Sequence, residues 1–447
     1  MNISKEYFYT IDKVARQPIP EAVMARAKQS LLDYLAVTCA GATFQKDKLN
    51  GYYAFAEPED GMFKVIGTGK SLVLKESVFL NGLNGHALDF DDGTNSGIIH
   101  LGSPIFSLLL PLAQRYGNSV EELLKAAIIG YEASYTMAVS IQPKHKALGF
   151  HATGNCGVIG ATLAGAYMLE FSDEERYQAF ATACVSASGM LKVLDNGSEL
   201  KPYNVAKTVL LSLTSLQLAK AGFKGHEDPL GGYRGFLKIM SGDEHTPIKP
   251  ILLNGTYAIM KSYTKPYASC RYTHPPVEAV IYLRNRYGIK AENVKSIKVE
   301  TYDLAVKGHD HEDVKGAYSA KMSIPYSTAV ALIYGKAGLQ EFGEDVLEDK
   351  TVKLLTAKVH VVADDMLSNI FPERQSAIVT IETDKGSYSH HVDFPKGEPE
   401  NPFKEDEFRE RYEALMSFGK IDKSVYDEIY DKVNELNVKV LELIENL

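Results

Sequence analysis

The sequence of 447 residues has no tryptophan and only four cysteines, and no two of these are spaced as a CxxC pair. So few thiols in so long a chain exclude a disulfide scaffold, and the missing CxxC pair excludes a zinc ribbon. The most apolar runs, such as 104–113, are about half of the roughly 20 residues that span a bilayer. The amino terminus shows no basic segment followed by an apolar one, so no signal peptide is expected. We therefore expect a soluble, cytoplasmic protein with reduced thiols.

Positive charge is also in short supply, because 48 Lys and Arg residues face 57 Asp and Glu residues and the formal net charge is −9. Nucleic-acid and anionic-membrane surfaces need clustered positive charge, so neither partner is expected. A small anionic ligand stays possible, since a pocket can be locally positive inside an acidic protein. The 45% of hydrophobic residues provides a large core and excludes global disorder.

Apolar residues recur at helical spacing through the first 262 residues, where alternating strand patterns are scarce. Ser119 and Glu122 have the spacing of a capping box at the start of one helix. The predicted helices that matter below are 72–90, 121–140, 157–169 and 203–221.

The pattern changes after residue 262. Alternation at 294–302 and 358–362 predicts strands, and a Thr-Asp-Lys-Gly turn predicts a hairpin of 377–382 with 387–392. After a polar break, helices are predicted at 405–416 and 424–443. We expect a mainly α fold: a large all-helical domain over 1–262 and 400–447, and a smaller α+β domain over 263–399.

The densest polar segment is 81–94, which is followed by His100. Its acids Asp89, Asp91 and Asp92 end a predicted helix, where negative charge opposes the helix dipole. The segment is either a solvated helix end or a functional site. Aspartate-rich helix ends can also hold Mg²⁺ for diphosphate ionisation, but that chemistry needs a second acidic cluster at a suitable spacing. We therefore expect no metal.

Two other segments place polar side chains at predicted helix starts. The glycine-rich segment 149–157 lacks the G-x-G-x-x-G spacing and a preceding strand, so no dinucleotide cofactor is expected. It is better interpreted as a loop entering a helix, with His151 at the entrance and free N–H groups available to an anion. Lys201 precedes the next helix at the end where a cation is unfavourable unless an anion binds there.

The linker 265–276 concentrates Lys265, Cys270, Arg271 and His274 at the predicted domain boundary. Interdomain clefts are favoured ligand sites, and an arginine can bind a carboxylate with two hydrogen bonds. Polar contacts between domains are the alternative interpretation. A Cys–His dyad is possible in principle, but no orienting residue or oxyanion hole is recognisable. The tract 309–313 has the composition of a metal site, although its polar setting predicts a solvated loop.

These segments, in this order and over nearly the whole chain, resemble the MmgE/PrpD family. The matching pieces are Ser30-Leu31-Leu32-Asp33-Tyr34-Leu35-Ala36, Asn81-Gly82 with His86-Ala87-Leu88-Asp89-Phe90-Asp91-Asp92, Gly149-Phe150-His151, Leu200-Lys201-Pro202, Gly222-Phe223-Lys224-Gly225, and Lys265-Pro266-Tyr267 with Thr273-His274-Pro275. The resemblance implies a helical main domain, an α+β lid domain and a homodimer without cofactor or metal. The implied activities are 2-methylcitrate dehydratase, cis-aconitate decarboxylase and iminodisuccinate epimerase.

The resemblance also implies a site. The expected catalytic residues are Asp89, His100, His151, Lys201 and Lys265, and the expected substrate contacts are Thr94, Tyr203, Cys270, Arg271 and His274. Similarity to the decarboxylases would require a second catalytic histidine five residues after Lys265, where this chain has Cys270. The decarboxylase hypothesis is weakened by that difference.

All three implied reactions labilise a bond at a carbon next to a carboxylate. Cations must hold the carboxylates and absorb the charge that develops, and His100 and His151 are suited to move protons near neutral pH. We expect a cofactor-independent lyase or isomerase acting on a small di- or tricarboxylate, similar to the dehydratase or the epimerase. A decarboxylase, or a relative that binds a dicarboxylate without catalysis, stays open.

Overall fold

The computed structural model describes residues 2–252 and 255–447, except for the side chains of 195–197. The residues group into two units with separate internal packing. Unit 1 holds the residues up to Val193, Leu200–Ser262 and Glu405–Leu447, and unit 2 holds Leu194–Glu199 and Tyr263–Lys404. The domain boundaries expected after residues 262 and 399 stay a prediction, because a unit defined by internal packing need not fold separately.

Unit 1 is built mainly from helices. They are α1 (Ile3–Ala15), α2 (Glu21–Phe44), α3 (Lys46–Ala56), α4 (Leu74–Gly85), α5 (Gly102–Tyr116), α6 (Val120–Ile141), α7 (Lys144–Ala147), α8 (Ala152–Asn155), α9 (Gly157–Met168), α10 (Asp173–Ser186), α11 (Lys201–Lys220) and α12 (Phe236–Ser241). The predicted capping box is confirmed, because the side chains of Ser119 and Glu122 each accept a hydrogen bond from the other's backbone N–H at the start of α6. Within the described ranges, no helix combines the length and the apolar character needed to cross a bilayer.

Small residues bring the central helices of unit 1 close together. A Cβ atom on Gly160 of α9 would collide with the Ser134 side chain and the Gly130 carbonyl of α6. On Gly82 of α4, it would lie 3.0 Å from the Cα atom of Ala206 in α11. The close approach of these backbones holds α4, α6, α9 and α11 in one packed core.

The prediction that the main domain is all-helical is wrong. Strand β1 (Asp60–Val65) pairs antiparallel with β2 (Lys70–Leu72) within unit 1. Gly67 and Gly69, at φ +76° and +68°, form the turn between them. β2 is only three residues long, too short to show an alternating pattern in the sequence.

Unit 2 is an α+β unit, so the chain as a whole is mainly α with some β structure. Its elements are α13 (His274–Tyr287), β3 (Val294–Thr301), α14 (Asp303–Val306), α15 (Ala317–Met322), α16 (Ile324–Tyr334), α17 (Glu344–Leu347), α18 (Lys350–Thr356), β4 (Val359–Ala363), α19 (Asp365–Asn369), β5 (Ala377–Thr383) and β6 (Gly386–Val392). The sheet order is β4-β3-β5-β6, with β3 parallel to β4 and antiparallel to β5. The predicted hairpin is confirmed as β5 and β6.

The chain then re-enters unit 1 through α20 (Glu405–Phe418), α21 (Lys423–Lys432) and α22 (Val440–Ile444). The single helix predicted at 424–443 is therefore two shorter ones. α20 packs on α2 and brings the buried Arg411 side chain against Asp33.

Candidate active site

The acidic segment lies in a loop rather than in the last turn of a helix. α4 ends at Gly85, four residues before Asp89, so the helix predicted at 72–90 is too long. Asp92 accepts a hydrogen bond from the Gly102 N–H (2.8 Å) at the start of α5 and another from the Tyr131 hydroxyl (2.6 Å). One acid thus lies at a helix N-terminus, where negative charge is favourable. The expected conflict with a helix dipole does not arise at Asp92.

Asp91 lies between two imidazoles. Both of its carboxylate oxygens are 2.9 Å from Nδ1 of His86, and its Oδ1 is 3.4 Å from Nδ1 of His100. The Ser103 hydroxyl adds a contact of 2.7 Å. Burial by itself raises the pKa of Asp91, but the imidazoles of His100 and His86 outweigh it and hold that pKa well below its usual range. Asp91 therefore stays a carboxylate that orients both rings.

His86 is buried and its pKa is lowered, chiefly by burial and against the opposing effect of Asp91. It is therefore neutral at pH 7, with the Nδ1 proton donated to Asp91. Its ring meets the His100 ring edge-on at 4.6 Å between centroids and stacks near His151 at 6.0 Å. Its Nε2 atom is buried without a hydrogen-bond partner among the described residues.

Asp89 joins Lys201 to the histidines. The Lys201 ammonium donates to Asp89 Oδ1 at 2.6 Å, and His100 Nε2 lies 3.5 Å from the same oxygen. Asp89 has a φ of +51°, in the left-handed region that a non-glycine residue rarely adopts. Lys201 is the first residue of α11, where a positive charge opposes the helix dipole. The carboxylate of Asp89 compensates that charge.

Hydrogen bonds from Asn204 determine which nitrogen of His151 carries the proton. Asn204 Nδ2 donates to the Met190 carbonyl (3.2 Å) and lies 3.2 Å from His151 Nδ1. The carbonyl can only accept, so Nδ2 is the amide nitrogen and His151 Nδ1 accepts from it. Burial, followed by the Lys201 charge, lowers the pKa of His151 well below its ordinary value. His151 is thus a neutral imidazole with its proton on Nε2.

A residue from the end of the chain supports this loop. Arg411 on α20 pairs with Asp33 on α2 and donates through Nη2 to the Phe90 carbonyl at 3.1 Å. Its guanidinium also lies over the Phe90 ring, 4.5 Å from the centroid. Phe90 separates Asp89 from Asp91, so Arg411 positions the backbone that carries both acids.

Of the residues predicted in unit 1, the structure brings together Asp89, His100, His151 and Lys201. Thr94 is buried in the same loop and its backbone pairs with Ile99. Tyr203 is separate, because its side chain is 44% exposed and packs edge-on against Phe79.

Three residues around this cluster, His86, Asp91 and Asn204, were not among the predicted site residues. His86 and Asp91 lie in the polar segment 81–94, and Asn204 follows Lys201 at the i, i+3 spacing that puts two helical residues on one face.

The other predicted residues belong to unit 2. Lys265 Nζ and His274 Nε2 both lie 3.2 Å from the Ser269 carbonyl. Arg271 is buried, and its Nε donates to Glu398. Its Nη1 and Nη2 atoms have no hydrogen-bond partner in the described part of the chain. A carboxylate could satisfy both nitrogens at once.

The cluster also has the donor set of a cation site. One ligand atom from each of His86, Asp89, Asp91 and His100 lies within 4.8 Å of the others. Two observations favour proton chemistry instead: the Lys201 ammonium already neutralises Asp89, and Asp91 is engaged by two imidazoles.

Comparison with known proteins also divides the chain near residue 260, although the second match continues past Glu405 into the last segment of unit 1. Residues 9–249 match the MmgE/PrpD N-terminal domain and residues 267–435 match the MmgE/PrpD C-terminal domain. The chain belongs to the MmgE/PrpD family. This MmgE/PrpD protein is therefore an enzyme of the lyase type.

Named relatives of this MmgE/PrpD protein include cis-aconitate decarboxylase from Aspergillus terreus, which is 25% identical over 96% of this chain and 92% of its own length. Cis-aconitate decarboxylase-like protein oryM from Aspergillus oryzae is 26% identical, over 93% and 91%. Human cis-aconitate decarboxylase is 24% identical over a shorter stretch, 49% of this chain and 46% of its own.

Proposed function

We propose that this enzyme is a cofactor-independent lyase or isomerase that acts at the carbon α to a carboxylate of a small di- or tricarboxylate. The observation that supports this most is the buried cluster of His86, Asp89, Asp91, His100 and Lys201, next to the neutral His151. It combines the ammonium of Lys201, the carboxylates of Asp89 and Asp91, and imidazoles that face different partners. Such a set moves protons and stabilises developing negative charge.

The proposed roles follow from the hydrogen bonds. His151 offers its Nε2–H as a donor, suited to protonate a leaving hydroxyl or to bind a developing oxyanion. His100, oriented by Asp91 and next to Asp89, takes the α-proton. Lys201 balances the charge that the departing proton leaves on the substrate carboxylate. Arg271 and Lys265 of unit 2 are proposed to bind further substrate carboxylates, with Thr94, Cys270 and His274 as additional contacts.

We favour dehydration of a 2-methylcitrate-like substrate or epimerisation of an iminodisuccinate-like one. Decarboxylation of cis-aconitate is the second candidate, and the names of the relatives support it. Cys270, which stands where similarity to the decarboxylases would require a histidine, argues against it. In either case the bond that breaks is adjacent to a carboxylate.

Proton NMR in D₂O tests this proposal directly. The enzyme is incubated with 2-methylcitrate, citrate, cis-aconitate, iminodisuccinate and succinate, and the α-C–H signals are followed. Dehydration, exchange with inversion and loss of CO₂ give different spectra, so the panel separates the three reactions. Binding without exchange or turnover across the panel would contradict the catalytic proposal and favour a dicarboxylate-binding protein.

We expect His151→Ala and Lys201→Ala each to lower kcat/KM by about a hundredfold or more and to leave the thermal midpoint nearly unchanged. Matched controls are His245→Ala, whose side chain is 88% exposed, and Lys220→Ala at the far end of α11, 61% exposed. Both controls should retain wild-type turnover. Wild-type kcat/KM in either site variant would remove that residue from the proposed site.

The family resemblance further implies a homodimer, a lid function for unit 2 and a cytoplasmic location. These stay predictions, and sedimentation equilibrium of the purified enzyme measures the first of them.

A further inference from the structure

Unit 2 contains a contact between a thiol and an imidazole that the proposed acid–base chemistry does not use. Cys270 Sγ lies 3.7 Å from Nε2 of His309, within hydrogen-bonding distance for sulfur. The thiol is partly exposed, whereas the imidazole is only 8% exposed. In the sequence, His274 is the histidine nearest to Cys270 for such a dyad, whereas His309 was predicted to lie in a solvated loop.

The orientation of His309 makes it a proton acceptor for the thiol. Its Nδ1 atom lies 3.2 Å from the Lys307 carbonyl. Since a carbonyl oxygen only accepts, Nδ1 carries a ring proton, and Nε2 is the ring nitrogen that faces Cys270 and can take a second proton. A nucleophile, a base and a group that orients the base are the recurring parts of an activated nucleophile.

The backbone holds both residues in place. The Cys270 N–H donates to the Lys321 carbonyl, and the His309 carbonyl accepts from the Ile324 N–H at the start of α16, both at 2.8 Å. The Tyr272 ring packs edge-on against the imidazole, 5.0 Å between centroids. The contact between sulfur and nitrogen is therefore part of the packed unit and not a surface encounter.

The other three thiols of the chain have a different environment. Cys39, Cys156 and Cys184 are buried. Burial raises the pKa of Cys39 to about 12 and also raises the pKa values of Cys156 and Cys184 above their usual range. These three provide an internal reference for Cys270, because they should stay unreactive as long as the protein is folded.

We propose that Cys270 and His309 form an activated thiol, a site of covalent modification by soft carbon electrophiles such as activated alkenes and alkyl halides. His309 Nε2 takes the thiol proton while sulfur bonds to the electrophilic carbon. With an alkyl halide, the halide ion leaves. With an activated alkene, sulfur bonds to the β-carbon, the π electrons move to the α-carbon, and that carbon takes the proton from the imidazolium.

Alkylation of the full-length protein tests the inference without reference to turnover. Native protein is treated with iodoacetamide at pH 7, and the modified cysteines are identified by peptide mass spectrometry over time. We expect Cys270 to react first and faster than the thiol of free N-acetylcysteine. His309→Gln should slow the reaction of Cys270 by about ten- to a hundredfold.

His311→Gln is the matched control. This histidine is two residues further along, but its Nε2 faces the Ser319 carbonyl at 3.1 Å, so its replacement should leave the Cys270 rate unchanged. Equal rates for wild type and His309→Gln would overturn the proposal. A variant that unfolds reveals itself, because all four cysteines then react. If His309→Gln unfolds, the test is the alkylation rate of Cys270 in the wild-type protein compared with that of N-acetylcysteine. A lower rate for Cys270 overturns the inference.

Discussion

Asn204 and Asn155 are two buried amides, and each places its Nδ2 atom between a backbone carbonyl and a histidine ring nitrogen. Asn204 Nδ2 donates to the Met190 carbonyl and faces His151, and Asn155 Nδ2 donates to the neighbouring Gly189 carbonyl and faces His145 Nε2 at 3.2 Å. Only the first pair lies in the candidate site. The carbonyls of Gly189 and Met190 therefore fix the orientation of the two amides, and each amide in turn fixes which nitrogen of its histidine carries the proton.

The Asn204→Asp substitution should reverse the tautomer of His151. A carboxylate only accepts, so the proton would move to Nδ1 and the Nε2–H donor would be lost. We expect kcat to fall by about a hundredfold with a smaller change in KM, and ¹⁵N NMR of the imidazole to show the proton on Nδ1. Asn155→Asp is the control: it should lower the thermal midpoint and keep kcat. Wild-type kcat in Asn204→Asp would contradict the donor role of His151.

His145 gives a prediction for pH and stability. Its Nδ1–H donates to the Met240 carbonyl at 2.8 Å, and burial lowers its pKa from 6.5 to about 4. A histidine whose pKa is lowered in the fold stabilises the protein above the unfolded pKa, and that contribution is lost as the pH falls. Between pH 7 and pH 5, the difference in unfolding free energy between wild type and His145→Gln should narrow by about 2 kcal/mol.

Urea unfolding at both pH values measures this narrowing. The exposed His245→Gln variant should show the wild-type pH dependence. If the wild type and His145→Gln lose the same free energy between pH 7 and pH 5, His145 is not held neutral by the fold.

Part of the site could be predicted from charges that lie where they oppose a helix dipole. Lys201 at a predicted helix start, and Asp89, Asp91 and Asp92 at a predicted helix end, were selected for this reason. Their partners depend on the path of the loop, including the positive φ at Asp89, which no spacing rule reports. The pairing of Asp91 with His86 and the tautomer set by Asn204 follow from that path, so they required the structure.

At the scale of elements, the contact of α6 with α9 depends on glycine. Gly160→Ala should destabilise the protein by about 1–3 kcal/mol, because the added methyl group meets the Ser134 side chain and the Gly130 carbonyl. Gly51→Ala in α3, where no side chain or other segment of the described residues comes within 4 Å of the added carbon, should instead stabilise the protein by up to about 1 kcal/mol through helix propensity. Thermal and urea unfolding of the two variants give the comparison, and equal effects would refute the packing argument.

Helices and strands with strong periodicity were predicted well, but the two predicted helices 72–90 and 424–443 were too long. The capping box of α6 and the β5–β6 hairpin have local signals that decide the structure. The predicted helix 72–90 continued through residues whose apolar spacing remained helical, whereas the chain leaves the helix at Gly85. Periodicity shows which residues share a face, but contacts distant in sequence decide where the helix ends.

For the whole molecule, unit 2 offers a test of the predicted division. Its sheet has a buried core contributed by alternate residues of β3 and β5, including Ile297, Val299, Val379 and Ile381. A fragment of residues 263–404 should therefore unfold cooperatively and give a dispersed NMR spectrum. A fragment ending at residue 385 lacks β6 and should not. A disordered 263–404 fragment would show that the α+β region is not a separate domain.

Arg411 has a consequence for how the enzyme is made. The side chain that ties Phe90 to Asp33 is encoded more than 300 residues after them and leaves the ribosome only after all of unit 2. During synthesis, the loop with Asp89 and Asp91 therefore lacks the hydrogen bond from Arg411 to Phe90 until α20 has left the ribosome. We therefore expect a nascent chain that already contains every histidine and lysine of the candidate site to stay inactive until α20 has packed on α2.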